Sequence, residues 1–238
     1  MKGIILAGGE GTRLYPLTKV TSKQLLPIYN KPMIFCPLEL LLKAGIKDIL
    51  IIVAPDHAGD FLKLLGSGSQ FGARFTYEIQ DKPLGIAQAF ILGESFIGND
   101  NVALVLGDNI FGDNFNNQVL NFKRGAHIFA KEVNDPERFG VVKIDKKNKA
   151  VNIVEKPKKF VSNLAITGFY LYDKNVVEIA KSLKPSKRNE LEITDINNFY
   201  LKKGKLKVDV IKGEWIDAGT FDSLHKASNW AFNRVKNI

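Results

Sequence analysis

Residues 2–13 read KGIILAGGEGTR, a short apolar run that opens directly onto glycines. KGIILA (2–7) has the length and unbroken apolarity of a strand covered on both faces. GGEGTR (8–13) predicts a loop whose backbone N–H groups can face phosphate oxygens, because Gly8, Gly9 and Gly11 let the chain approach closely. The loop is not a P-loop, since no Gly-Lys-Ser/Thr follows. It is not a dinucleotide fingerprint either: counted from Gly9 and Gly11, the third glycine position holds Leu14. Read alone, the segment is a phosphate cradle or a tight turn between strand and helix. Arg13, next to Thr12, offers a charge-assisted and bidentate phosphate contact, and Lys23 follows ten residues later.

Outward from this loop the same rhythm repeats. Ile34, Leu38, Leu41 and Leu42 recur at helical spacing over 33–44, with Gly45 as the stop. KDILIIVA (47–54) is a second continuous apolar strand. A helix over 56–65, a strand over 74–79, a helix over 85–96 and a strand over 101–107 follow. Such alternation predicts parallel strands joined by right-handed crossovers, hence an α/β, doubly wound, Rossmann-like and mainly parallel sheet. After about residue 126 the texture becomes strand-rich, with strands over 126–133, 139–145, 150–155, 164–172 and 206–211. Helices are expected over 175–183, 193–203 and 220–236. No linker, repeat or low-complexity segment intervenes, so a single domain over 1–238 is expected.

The chain has 238 residues, 45% hydrophobic and 25% charged, an ordinary globular balance that excludes extensive disorder. Lys plus Arg exceed Asp plus Glu by 34 to 25, a net +9 that favours anionic partners. The densest basic stretches are Lys146–Lys147 with Lys149, Lys156 with Lys158–Lys159, and Lys202–Lys203 with Lys205. None is a long tail or a stripe interleaved with aromatics, so solvated faces are expected and nucleic acid is not. Cys36 is the one cysteine, which excludes an internal disulfide and fits a reducing compartment; its apolar surroundings suggest a small buried hydrophobe. The N-terminal apolar run is too short for a signal peptide, and no run of about 18 apolar residues exists to span a membrane. A cytoplasmic protein is expected.

Asp108 stands at the end of the apolar strand 101–107, where α/β folds bind ligands. It reads equally as a functional carboxylate and as a cap or turn residue. Asp217, in EWIDAGT (214–220), has a similar setting before a glycine. If the two carboxylates converge they suit Mg2+, a hard cation held by one or two carboxylates plus substrate phosphates. Glu155-Lys156-Pro157 offers an acceptor for sugar hydroxyls and a cation for phosphate, or simply an exposed ion pair before a turn. His57, His127 and His225 lack metal spacing, and no G-x-S-x-G elbow is present. Acyl-type nucleophilic chemistry therefore has little to work with.

Taken together, the motifs resemble the sugar nucleotidyltransferases (nucleoside-diphosphate-sugar pyrophosphorylases). The similarity runs through GIILAGGEGTRLYPLTKVTSKQLLPIYNKPMI (3–34), QDKPLGIAQAF (80–90), LGDNIF (106–111), DPERFGVVKID (135–145), IVEKPKKFVSNLAITGFYLYD (153–173), NELEITDIN (189–197) and WIDAGTFDSL (215–224). Ser22-Lys23-Gln24 and Gln80 with Gly85-Ile86-Ala87-Gln88-Ala89 resemble the thymidylyl branch; the uridylyl branch usually has Pro-Lys-Glu at the first of these. The resemblance implies the nucleotide-diphospho-sugar transferase fold, with 1–125 mainly nucleotide-binding and 126–238 mainly sugar-phosphate-binding. It implies transfer of a thymidylyl group from dTTP to glucose 1-phosphate, giving dTDP-glucose and pyrophosphate, as the first step toward dTDP-rhamnose or another deoxysugar.

The same resemblance implies site roles. Arg13 and Lys23 would neutralise the triphosphate beside Gly8, Gly9, Gly11 and Thr12, and Asp108 with Asp217 would bind Mg2+. Leu6 and Gly8 backbone, with Gln24, Gln80 and Gly85, would hold the nucleoside. Gly140, Glu155 and Ile166 would line the glucose, with Asn109 nearby, and Lys156 would bind the sugar phosphate. Homodimers or homotetramers are implied. Alternatives are a nucleotidyltransferase for UTP or another hexose phosphate, and a non-catalytic nucleotide-sugar sensor. A sensor would have lost Arg13, Lys23, Asp108 or Asp217, and all four stand. Three positions depart from the family pattern: Phe221 stands for a common His, Leu84 for a polar residue, and Asn189 for a Gly.

Overall fold

The structure, a computed structural model, describes residues 1–236. In chain order its elements are β1 (Lys2–Ala7), β2 (Pro27–Ile28), β3 (Lys31–Pro32), α1 (Phe35–Lys43), β4 (Asp48–Val53), α2 (Ala58–Leu65), β5 (Arg74–Ile79), α3 (Gln88–Leu92), α4 (Glu94–Ile97), β6 (Val102–Leu106) and β7 (Asn109–Phe111). Then come α5 (Asn116–Asn121), β8 (Ala126–Glu132), β9 (Gly140–Ile144), β10 (Ala150–Glu155), β11 (Leu164–Tyr172), α6 (Val176–Ser182), α7 (Ile193–Lys202), β12 (Leu206–Val210), β13 (Trp215–Asp217) and α8 (Phe221–Lys236). The chain divides into two units that interleave in sequence. A glycine-loop unit holds Gly3–Pro83, Val105–Asn116 and Gly213 onward, and a strand-rich unit holds Met1–Lys2, Leu84–Leu104 and Asn117–Lys212.

In the glycine-loop unit β1, β4 and β5 lie side by side and parallel, Gly3 opposite Ile49 and Ile49 opposite Phe75. Every residue of β4 except Asp48 is buried, as its unbroken apolar run predicts for a strand covered on both faces. Helix α1 stops at Gly45, whose φ of 80° turns the chain so that Ile46 N–H bonds back to the Leu41 carbonyl at 3.0 Å. A second feature was not legible: β7 and β13 form a three-residue antiparallel pair, Asn109 opposite Asp217 and Phe111 opposite Trp215. The pair is anchored by a buried cluster of Ile28, Met33, Ile110, Ile216, Ala218, Ala227 and Ala231, against which Leu224 and Trp230 pack. Cys36 packs there too and is only partly buried. Each fully buried Ile or Met in such a cluster contributes about 1.5–3 kcal/mol.

In the strand-rich unit β10 pairs antiparallel with β9, β11 antiparallel with β8 and β9, and β12 parallel with β8. All of β11 except Leu164 is buried, and its register against β8 shifts between Ile166 and Tyr170. Phe129 and Phe169 stack with ring centroids 5.2 Å apart, and Phe90 meets Tyr172 edge-on at 5.3 Å. The single helix expected over 85–96 is a turn followed by α3 and α4, which meet at Gly93. The cause is a long-range contact: Leu191 N–H bonds the Leu84 carbonyl at 2.7 Å and Ala87 N–H bonds the Leu191 carbonyl at 3.2 Å, which pulls 84–87 out of helix. Parallel strands with crossover helices, joined in sequence by a mixed strand-rich portion, make the α/β, mainly parallel class predicted from sequence. Among the described residues no helix is long and apolar enough to cross a membrane.

Candidate active site

In the glycine-loop unit, β1 delivers the chain into Gly8–Gly11, and Gly11 adopts φ 66° before a short turn over Thr12–Leu14. Thr18 donates its hydroxyl to the Gly11 carbonyl at 2.8 Å, and Leu14 N–H bonds the same carbonyl at 2.9 Å. Arg13 is thereby held exposed at the loop's edge. Lys23 lies beneath it, its side chain running past Gly9 and Gly11.

Two Asp residues, one just after β6 and one at the end of β13, come together here. Asp108 follows β6, Asp217 ends β13, and the β7–β13 pairing draws them together; Ala218 N–H also bonds the Asp108 carbonyl at 2.9 Å. Lys23 Nζ lies 2.5 Å from Asp108 Oδ2, with both side chains largely buried. Burial opposes charge on either group, but their mutual attraction outweighs it, so Asp108 is held below the usual carboxylate range and Lys23 above its own. Asp217 makes no ion pair within 4.0 Å among the described residues, and the attraction of Lys23 and Arg13 is the weaker influence on it. Burial, followed by repulsion from Asp108, pushes its carboxyl up to about 6. Asp217 Oδ1 accepts the Gly219 N–H at 3.0 Å. Any Cβ at Gly219 would meet Arg13 Nη2 at 2.6 Å and Asp217 Oδ1 at 2.8 Å, so the DAGT turn leaves the guanidinium room beside the carboxylate.

These donors fit a hard divalent cation. Two carboxylates, Asp108 buried and Asp217 partly buried, repel one another and gain from a shared positive charge, and the remaining positions suit phosphates and water. Among the described residues no group of three or more His, Cys, Asp or Glu gathers in metal-binding fashion, so a substrate would have to complete the shell. Asn109, expected near the sugar, is 1% exposed; its amide donates to Asp108 Oδ1 at 3.2 Å and accepts the Trp215 indole N–H at 2.7 Å. Its amide thus links Trp215 to Asp108.

Leu6, Gly8, Gln24 and Gln80 surround the start of the loop. Gln24 is 2% exposed, takes the Ser22 hydroxyl at 2.6 Å and packs against Gly107. Gly107 N–H bonds the Leu6 carbonyl at 2.9 Å. Gln80, at the end of β5, is 3% exposed, and its side-chain oxygen lies so close to Gly8 that a Cβ there would collide with it. Gly85 belongs to the strand-rich unit. Its φ of 103° and the Leu191 backbone packed against it exclude a side chain.

In that unit Gly140, Glu155 and Ile166 come together. A Cβ at Gly140 would lie 3.0 Å from Glu155 Oε2 and 3.9 Å from Ile166 Cδ1. Sequence reasoning missed two partners. Thr194 donates to Glu155 Oε2 at 2.5 Å, and Arg188 reaches Glu155 Oε1 at 3.3 Å and Glu192 Oε2 at 2.8 Å. Glu155 thus pairs with these groups. Lys156 is exposed and carries φ 41°, an unfavourable angle for a side-chain-bearing residue, held by its N–H to the Phe139 carbonyl at 3.0 Å. Strained backbone of this kind clusters at functional sites.

The three departures have structural settings. Asn189 has φ 59°, the left-handed region that Asn tolerates best after Gly, so the replacement keeps the turn. Leu84 is 37% exposed, and its N–H is held by Gln88 Oε1 at 2.9 Å. Phe221 is 47% exposed at the first position of α8, behind a Thr220–Ser223 cap in which each backbone N–H bonds the other's hydroxyl.

A nucleotidyl transferase family profile matches residues 2–233. The glucose-1-phosphate thymidylyltransferase of Neisseria meningitidis is 54% identical over all of this chain and 84% of that protein. The enzyme of that name from Mycolicibacterium smegmatis is 52% identical over 97% of this chain and 82% of its own length. A Bacillus anthracis crystal structure carrying the same name superposes with TM-score 0.92 at 52% identity, covering 97% of this chain and 95% of that one. A UDP-glucose pyrophosphorylase complexed with UDP-glucose reaches TM-score 0.86 at 27% identity, with 98% of each chain covered. This chain belongs to the nucleotidyl transferase family, in the branch of the glucose-1-phosphate thymidylyltransferases.

Proposed function

We propose that this chain transfers a thymidylyl group from dTTP to α-D-glucose 1-phosphate, giving dTDP-glucose and pyrophosphate, with Mg2+ held by Asp108 and Asp217. The observation that carries the reading is the pair of carboxylates, one buried and one partly buried, brought to the glycine loop beside Arg13 and Lys23. A phosphate oxygen of the sugar attacks the α-phosphorus in line, one P–O bond forms, and the bond to pyrophosphate breaks. A phosphate monoester loses its second proton near pH 6, so the nucleophile is already anionic and needs no general base. The chain's task is to align two anions and offset their repulsion.

Arg13 neutralises the triphosphate from the loop's edge, while Lys23, fixed by Asp108, lies under the glycines. The backbone of Leu6 and Gly8, with Gln24, Gln80 and Gly85, holds the base and deoxyribose. Gly140, Glu155 and Ile166 take the glucose, Thr194 fixing the Glu155 carboxylate, and Lys156 takes the sugar phosphate. When bound, the cation neutralises developing charge on the phosphate oxygens. Residence in the cytoplasm as a homodimer or homotetramer belongs to the same reading. Pyrophosphate release, with dTTP, UTP, CTP, GTP and ATP each offered against glucose 1-phosphate, tests it. Release at least tenfold faster with dTTP is expected; equal release with UTP contradicts the base assignment.

A further inference from the structure

One residue of the basic stretches, Lys205, is exposed but borders a cavity. Strand β12 pairs parallel with β8, Leu206 opposite Ala126 and Lys207 opposite His127. Parallel pairing aligns the starts of the two strands, so the cations that precede each strand are brought to one end. Ala126 N–H bonds the Lys205 carbonyl at 2.9 Å and locks that register. The result is a cavity of about 510 Å³, wholly within the strand-rich unit, whose lining includes Lys123, Arg124, Lys205 and Lys207. That volume lies in the range of small-molecule sites.

The charges are unbalanced. Asp209 is the one acidic residue of the lining, and it is engaged by Lys207 at 3.5 Å. Lys123, Arg124 and Lys205 are exposed and make no ion pair among the described residues. At the wall, His127 is 3% exposed and stacks on Phe129 at 4.7 Å. Its Nε2 is 3.1 Å from Asp209 Oδ2, so the carboxylate is taken up by both His127 and Lys207. Three uncompensated cations around a cavity of small-molecule size favour an occupant rich in negative oxygen acceptors. Nothing in the proposed reaction uses these residues.

We infer that this cavity is a second anion site, separate from the glycine loop, which takes a small molecule bearing a chain of phosphates. The half-buried Phe122 ring is also in the lining. It offers a stacking face to a base if the phosphates belong to a nucleotide.

The test is calorimetric titration of the intact chain with inorganic triphosphate, and separately with dTTP, at low salt and without divalent cation. Two binding events are expected in the wild type. Arg13→Ala should remove one. Lys205→Ala with Lys207→Ala should weaken the other at least tenfold while pyrophosphate release stays within twofold, and Lys205→Arg with Lys207→Arg should restore it. Equal affinity for triphosphate and dTTP at this second event assigns recognition to the phosphates alone. Tighter dTTP binding, reduced by Phe122→Ala, assigns it to a nucleotide. A single event lost in Arg13→Ala, or two events unchanged in the alanine double variant with its melting temperature intact, would overturn the inference.

Discussion

At the residue scale, the Lys23–Asp108 pair shows how burial makes charge consequential. Both side chains are largely out of water and 2.5 Å apart. Removing one partner strands the other, which costs about 3–5 kcal/mol, far more than an exposed pair is worth. Lys23→Ala should therefore lower urea-derived stability by that amount, whereas breaking the exposed Arg138–Asp135 pair should change it by less than about 1 kcal/mol. A loss below about 1 kcal/mol for Lys23→Ala would show that the pair is not held together as described. Asn189 makes the opposite case, an unusual residue in an undemanding role. Because its φ is 59°, Asn189→Gly should be neutral within about 0.5 kcal/mol, and Asn189→Val should cost about 1–2 kcal/mol in thermal unfolding. Equal stability of the two variants would remove the backbone explanation.

At the scale of elements, what was legible and what was not follow from length. Strands β1 and β4 are continuous apolar runs that need covering on both faces, and Gly45 stops α1 by a local mechanism, so each announces itself in its own residues. Strands β7 and β13 are three residues each, too short for a periodic pattern, and pair across more than a hundred residues of chain. The convergence of Asp108 and Asp217 depends on that pair and was therefore invisible to periodicity and spacing; only the family resemblance implied it. Thr194 and Arg188 escaped notice for a similar reason: their link to Glu155 spans 39 and 33 positions, with no motif to mark it. The registration of β13 has a testable consequence. Ile216 is 3% exposed in the cluster that anchors the pair. Ile216→Ala should cost about 2–5 kcal/mol, with turnover reduced because Asp217 is carried on the same strand. Full turnover in a destabilised variant would separate the cluster from the site.

At the scale of the whole molecule, the site is an electrostatic debt within the fold. Asp217 has a folded pKa near 6 against an ordinary 3.8, so folding favours its protonated form. That contribution is whole below about pH 4 and is lost as pH rises through about 6. Metal-free wild type should lose more melting temperature between pH 4 and pH 6.5 than Asp217→Asn does; parallel curves would place the shift elsewhere. Added Mg2+ should raise the melting temperature more at pH 7.5 than at pH 5, because a carboxylate must be ionised to bind it. The net charge of +9 favours arrival of both anionic substrates and, through Lys123, Arg124 and Lys205, of an anion that is not consumed.

The most direct single measurement is Mg2+-dependent pyrophosphate release from dTTP and glucose 1-phosphate by the wild type, Asp108→Asn and Asp217→Asn, with folding checked by circular dichroism. Turnover in the wild type that needs the cation, with a fall of about a thousandfold or more in each folded variant, is the predicted result. Near wild-type turnover in either folded variant would contradict the assignment of these two carboxylates to the reaction.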